Sequence, residues 1–280
     1  MKPGIYATVT PASYHADCAE QPSLSASIAH ILLTQSPMHA WFSHPRLNPL
    51  YRPDHAARYD IGTAAHAMLL EKDQSNIVRL EFDDYRTKAA KQARDEARAA
   101  GKTPILAKHH AACDAMVRAA HTALDASELA GVFDTGAPEQ TCIWQEGDVW
   151  CRSRFDWMTG DGSIIVDYKT AENAAPDGFI RRMPGLGYLT QAAFYLRGAR
   201  ALGFNPRFVF MVQEIEPPYA CSFVGLSPAM QEIADANVDH TLEAWKDCLR
   251  TGKWYGYPTR ICYAEPTSWQ LTEYEMREAA

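Results

Sequence analysis

The sequence predicts an α/β fold of the α+β kind, a mixed central β-sheet flanked by helices. Three observations predict it. From residue 139, EQTCIWQ, VWCRSRFDWM and SIIVDYKT follow one another across turns at Glu146-Gly147-Asp148 and Gly160-Asp161-Gly162, the pattern of a strand meander. Residues 206–218, PRFVFMVQEIEPP, carry a continuous apolar run that suits a central strand. The segments before, between and after these strands have helical periodicity and recognisable caps.

The elements follow in order. SLSASIAHILL (23–33) reads as a helix capped by Ser23 or Ser25, with Ile28, Ile31 and Leu32 on one face and Pro37 limiting its extension. Residues 44–60 are rich in Pro, His and Arg and read as loop. GTAAHAMLLE (62–71) starts a second helix with Thr63 as cap. RTKAAKQARDEARAA (86–100) is helical by propensity and is expected to stop at Gly101, and a further helix covers roughly 107–127. After the meander, 187–203 returns to helix and ends at Gly203. Residues 227–252 form a long helix with Ser227 as cap, Pro228 as first residue and Gly252 as stop.

We expect one domain over 1–280. It divides into a mainly helical part (1–135), a core sheet (136–220) and a C-terminal helix and tail (221–280). No apolar run is long enough to cross a bilayer and the N-terminus lacks a signal-peptide core, so a cytoplasmic protein without membrane partners is expected. Seven scattered cysteines without a Cys-x-x-Cys pair indicate neither a disulfide framework nor a zinc or iron–sulfur site. A net charge of −7 counts against non-specific coating of nucleic acid, but leaves room for a local basic channel.

The stretch IIVDYKT breaks the logic of a buried strand. Residues two apart share a face, so Asp167 and Lys169 sit side by side at the end of an apolar run. The preceding strand carries Arg152, Arg154 and Asp156, also two apart. A hairpin would bring Asp156 near Asp167, and two close carboxylates repel unless a cation lies between them. Oxygen ligands of this kind suit Mg²⁺ or Mn²⁺. A surface hairpin with a salt bridge is the alternative. Gln191 and Tyr195 lie four apart on the following helix, either facing this cluster or packing a Tyr on the sheet beside an incidental Gln. His66 is a lone helical histidine, either a ligand or a core residue. Lys88, Lys91, Arg94, Arg98 and Lys102 fall within one helical arc, which is an ordinary solvated face or a stripe for phosphates.

The pattern FDW…IVDYKT resembles the PD-(D/E)xK nuclease signature, with Asp167 where many members carry Glu. A Gln-x-x-x-Tyr helix after the Asp-x-Lys strand resembles the RecB-like branch. In order along the chain, YHAD, PSLSASIAHILLTQSPMHAW, HPRLNP, GTAAHAMLLE, CRSRFDWM, IVDYKT, QAAFYLRGA and WYGYP resemble the exodeoxyribonuclease VIII-like family of phage and prophage nucleases.

The resemblance implies a restriction-endonuclease-like core and a Mg²⁺- or Mn²⁺-dependent exonuclease. Such an enzyme would degrade linear double-stranded DNA from its ends, 5′ to 3′, leaving 3′ single strands for recombination. It implies a homo-oligomeric ring and a single-strand annealing partner. Asp156, Asp167 and the backbone carbonyl of Tyr168 would hold a metal, with His66 completing this site or holding a second ion and Glu139 in its outer shell. Lys169 would orient the attacking water or stabilise the phosphate. Gln191 and Tyr195 would position Lys169 or the DNA. Arg152 and Arg154 would touch phosphates or neutralise the carboxylates around them. The alternatives are an endonuclease or structure-specific nuclease of the same fold, and a non-catalytic DNA-binding protein that retains it.

Overall fold

The structure, a computed structural model, describes residues 1–52, 60–71 and 74–279, and of Asp60 the backbone alone. The chain runs β1 (Gly4–Tyr6), α1 (Pro11–His15), β2 (Leu24–Ser25), α2 (Ala26–Thr34), α3 (Pro37–Phe42) and α4 (Asp60–His66), which continues into a π-helical turn at Ala67–Glu71. Next come β3 (Ile77–Leu80), α5 (Lys88–Ala99), β4 (Thr103–Leu106) and α6 (Ala107–Asp125). The meander is β5 (Gly136–Glu146), β6 (Val149–Thr159) and β7 (Ile164–Ala171). It is followed by α7 (Pro176–Leu186), α8 (Tyr188–Ala201), β8 (Arg207–Glu214), β9 (Cys221–Val224), α9 (Pro228–Thr251) and α10 (Ser268–Glu278).

The central sheet has the order β1-β5-β6-β7-β8-β9, with β2 added beside β6. The meander strands pair antiparallel, β7 and β8 pair parallel, and α7 and α8 make the crossover that a parallel pair requires. The sheet is therefore mixed, as expected. Alternation along the strands sends side chains into two cores. Ile165, Phe208, Phe210 and Val212 pack with Phe194 of α8 and Trp245 of α9, while Val166, Tyr168 and Met211 pack with Met116 of α6 and Leu69 of the π turn. Helices thus cover both faces of one sheet.

The caps are those the residue types favour. Ser25, Thr87 and Ser227 each accept a backbone N–H at the start of α2, α5 and α9, and Gly252 ends α9 in the left-handed region at φ 68°. Some expectations need correction. Helix α4 is already formed at Asp60, so Thr63 lies inside it and is not its cap. Helix α5 ends at Ala99 and Gly101 turns left-handed, so Lys102 stands outside the helix. The strand expected at 206–218 ends at Glu214. Besides its helices the N-terminal part carries short strands: β1 and β2 join the main sheet, and β3 and β4 form a separate parallel pair. The loop expected at 44–60 lies partly outside the described residues.

Candidate active site

The site is built where the sheet forks. Strand β6 pairs with β7 at Trp157↔Val166 and Met158↔Ile165, and further back its partner is β2, at Leu24↔Cys151 and Ser25↔Arg152. Asp156 and Asp167 stand just inside the fork, where the β6–β7 ladder stops. In place of a ladder bond, the amide of Tyr168 donates to Asp156 Oδ2 at 2.9 Å. The N–H and C=O of one strand residue point to the same side, so the Tyr168 carbonyl also faces the fork.

The opposite side of β6 is disturbed at the same level. The β5–β6 register runs unbroken at Pro138↔Trp157 and Gln140↔Phe155 but omits Glu139, which adopts a left-handed conformation at φ 55°. Such a conformation in a non-glycine residue costs on the order of 1–3 kcal/mol and clusters at functional sites. The residue facing this break is Asp156. Phe155 and Trp157, two apart, enter different cores, so the strand switches faces at Asp156.

His66 arrives from α4. Its Nε2 lies 3.3 Å from Glu139 Oε1 and 3.6 Å from Asp156 Oδ2, and its Nδ1 lies 3.5 Å from Glu71 Oε1. The π turn explains the last contact. Five residues complete a turn of a π-helix, so Glu71 returns towards the face of His66. Burial works against protonation of His66, but Asp156, Glu71 and Glu139 outweigh it and raise its pKa to about 10. Burial raises the Asp156 carboxyl, and His66 and Lys169 more than reverse this, leaving it below the usual range. Burial raises Glu139, with His66 and Arg154 offsetting only part of the effect.

The second half of the site is on β7. Asp167 is fully buried, with Oδ1 paired to Lys169 and Oδ2 accepting from Gln191 Nε2 of α8. Burial and the neighbouring Asp156 push its pKa up to about 7. Burial disfavours the Lys169 ammonium, but Asp167 and Asp156 overcome this and raise its pKa above the ordinary value. Its Nζ also sits 5.2 Å from the centre of the Tyr188 ring. A cavity of about 380 Å³ opens here, lined by Gly62, Thr63, His66, Tyr168, Lys169, Thr170 and Tyr188. A larger concavity of about 850 Å³, at the Arg207 end of β8, contains no comparable donor group among the described residues.

His66, Glu139 and Asp156 each offer a donor atom, and these atoms lie within 4.8 Å of one another. One imidazole nitrogen and two carboxylates fit a hard or borderline divalent ion, and the nitrogen makes Mn²⁺ as natural an occupant as Mg²⁺. The sequence-derived residues are therefore distributed unequally. Asp156 and His66 converge with Glu139, which stands beside them instead of outside. Asp167 is near, with both oxygens engaged by Lys169 and Gln191. Gln191 holds Asp167, not Lys169. Tyr195 lies below the site, 8% exposed, with its ring against Phe155 and Phe208.

Of the two roles expected of Arg152 and Arg154, the structure places both arginines against carboxylates. Arg152 is buried, donates to the carbonyl and hydroxyl of Ser23, and pairs with Asp17 at 3.2 Å. Arg154 pairs with Glu139 and donates to the Val9 carbonyl at 2.9 Å. On α5, Lys88 and Lys91 are exposed, as is Lys102 beyond it, whereas Arg94 pairs with Asp95 and lies 5.4 Å from the Tyr85 ring centre, and Arg98 is half-buried. Sequence reasoning missed Glu71, which ordinary α-helical pitch would turn away from His66, and Gly62. A β-carbon on Gly62 would meet Thr170 Oγ1 at 2.8 Å, so glycine lets α4 approach β7.

A mixed sheet that forks at two carboxylates, with a lysine two residues on and a helical histidine opposite, defines a restriction-endonuclease-like protein of the PD-(D/E)xK class. The chain belongs to the family described as PDDEXK-like domain of unknown function (DUF3799), which matches residues 37–265. No curated protein matches it. It is similar in fold to the crystal structure of a protein from Eubacterium rectale provisionally named an exonuclease, with a TM-score of 0.56 and 12% identity over 95% of this chain and 98% of that one. A fainter likeness, TM-score 0.27 and 12% identity over 68% of this chain and 87% of the other, links it to the structure named SSO0001 and carries no argument. Among the described residues, no helix is long and apolar enough to cross a membrane.

Proposed function

We propose that this protein is a divalent-metal-dependent DNA nuclease, and more narrowly an exonuclease acting on double-stranded ends. One observation carries the reading: His66, Glu139 and Asp156 converge at the fork of the sheet, beside a buried Asp167 paired with a half-buried Lys169 that opens on a cavity. The family and the fold support the nuclease. The provisional name of the Eubacterium rectale protein, and the resemblance to exodeoxyribonuclease VIII-like enzymes, favour attack at ends.

His66, Glu139 and Asp156 would hold Mg²⁺ or Mn²⁺, with Asp167 and the Tyr168 carbonyl at the same fork. Such an ion polarises a phosphate and lowers the pKa of bound water. The protein's own residues do the rest. Asp167, fixed by Gln191, keeps Lys169 charged and aimed at the cavity, where its ammonium offsets charge developing on the scissile phosphate. Glu71 orients the His66 ring from behind. On the narrower reading the products are 3′ single strands for an annealing protein in recombination, with degradation 5′ to 3′ by a ring of subunits in the cytoplasm.

The test uses end-labelled linear duplex beside a covalently closed circle, each with Mg²⁺ or Mn²⁺. The reading expects steady release of mononucleotides from the linear duplex and an intact circle. Linearisation of the circle would make the protein an endonuclease of the same fold. Retention of uncut DNA under every condition would make it a binding protein.

A further inference from the structure

We propose that Arg154 is a positioning residue for the metal site, and that the N-terminal segment is part of that site because it holds Arg154. The inference rests on the metal-site reading above. Glu139 occupies a left-handed backbone conformation in the middle of a strand, at the one position where the β5–β6 ladder is interrupted. A carboxylate on so disfavoured a backbone needs an external hold. Arg154 supplies it, pairing through Nε with Glu139 Oε2 and leaving Oε1 to face His66 Nε2 at 3.3 Å. One oxygen is anchored and the other is presented to the cluster, which is how an outer partner orients a ligating carboxylate.

Arg154 is held in turn by residues that precede the family match at 37–265. Its Nη1 donates to the Val9 carbonyl at 2.9 Å, and its guanidinium carbon lies 5.8 Å from the centre of the Tyr14 ring. Tyr14 is fixed by the second guanidinium against it, Arg152, at 5.6 Å. Arg152 is locked to Ser23 and Asp17. Strand β1 runs beside β5 as far as Tyr6↔Thr141, two residues short of Glu139, and so delivers Val9 to this level. The chain of contacts runs from Asp17 through Arg152, Tyr14 and Arg154 to Glu139.

Two effects of Arg154 on a bound cation oppose each other. Its positive charge repels the ion, and its geometry presents the ligand. If neutralisation dominated, removing the charge would strengthen metal binding. If positioning dominates, any change that loses the two-sided hold weakens binding, even with the charge kept. Lysine keeps the charge but has no planar fork to bridge Glu139 and the Val9 carbonyl together.

The experiment is Mn²⁺ titration of the full chain by calorimetry, with thermal midpoints recorded beside it, for the wild type and for Asp156→Asn, Arg154→Gln, Arg154→Lys and Tyr14→Leu. We expect Asp156→Asn to abolish binding. Arg154→Gln and Arg154→Lys should each weaken it about 10–100-fold. Tyr14→Leu, which leaves all ligands intact, should weaken it by a smaller factor. An affinity in Arg154→Gln equal to or above the wild type, or a wild-type affinity in Arg154→Lys, overturns the positioning role. If Arg154→Gln does not fold, Arg154→Lys and Tyr14→Leu decide. Absence of Mn²⁺ binding by the wild type, or binding unaffected by Asp156→Asn, instead overturns the metal site itself.

Discussion

Lys169→Ala separates catalysis from stability. Asp167 is fully buried, and Lys169 is its charged partner. Stranding a buried carboxylate would cost about 3–5 kcal/mol if it stayed ionised. It need not stay ionised. With Lys169 in place its pKa already stands at about 7, raised by burial and by Asp156, and loss of the ammonium moves it further up. At neutral pH Asp167 therefore takes up a proton, and Gln191 still donates to it. The stability cost reduces to roughly that of one imperfect hydrogen bond, about 1–2 kcal/mol, or a few degrees in Tm for a chain of this size. Loss of one preorganised charge at a reacting phosphate costs about 3 kcal/mol, or 10²–10³ in rate. The assay is single-turnover hydrolysis of labelled duplex at saturating protein, beside a thermal melt. A rate within about threefold of the wild type would refute the catalytic role. A fall in Tm far beyond a few degrees would refute the protonation argument.

Three further outcomes follow from particular contacts. Gly62→Ala forces its new methyl against Thr170 Oγ1, pushing α4 and His66 off β7 and weakening Mn²⁺ binding about tenfold, and Thr170→Ala in the same chain should restore it, as read by calorimetry. Burial raises the Asp17 carboxyl, but His44, Arg152 and Ser23 outweigh it and hold its pKa below the usual range. Its stabilising contribution is thus present above about pH 4 and lost as pH falls through the lowered native value, so urea midpoints should fall in that window and Asp17→Asn should flatten the fall. Lys88, Lys91 and Lys102 all changed to Glu should weaken DNA binding and reduce its salt slope, and unchanged affinity and slope would leave an ordinary solvated face.

What was legible in the sequence was whatever repeats over several residues or has a fixed offset. The meander is marked by its turns, β8 by a continuous apolar run, α8 by helical periodicity, and α9 by its periodicity and its Ser227 and Gly252 caps. Asp167 and Lys169 could be placed on one face because a strand has period two, and Gln191 on α8 falls against them. Strands β1 to β4 escaped because two to four residues hold too little pattern to show a period. Helix α7 escaped because Gly178, Pro184 and Gly185 punctuate it like a loop. The weight of Glu139 was hidden because nothing in EQTCIWQ announces a left-handed residue, and the roles of Arg152 and Arg154 stayed open because Asp17, Ser23, Val9 and Tyr14, which hold them, lie over a hundred residues away. Glu71 was hidden for a related reason: at α-helical pitch it points away from His66, and only the π turn brings it back.

The central claim, metal-dependent DNA hydrolysis at the fork of the sheet, is tested most directly by release of acid-soluble nucleotide from uniformly labelled linear duplex. The wild type and Asp156→Asn are each assayed with Mg²⁺, with Mn²⁺ and with excess chelator. Release by the wild type with either ion, abolished both by chelation and by Asp156→Asn, is the predicted result. Release that survives chelator or Asp156→Asn, or no release from the wild type with either ion, would contradict the account.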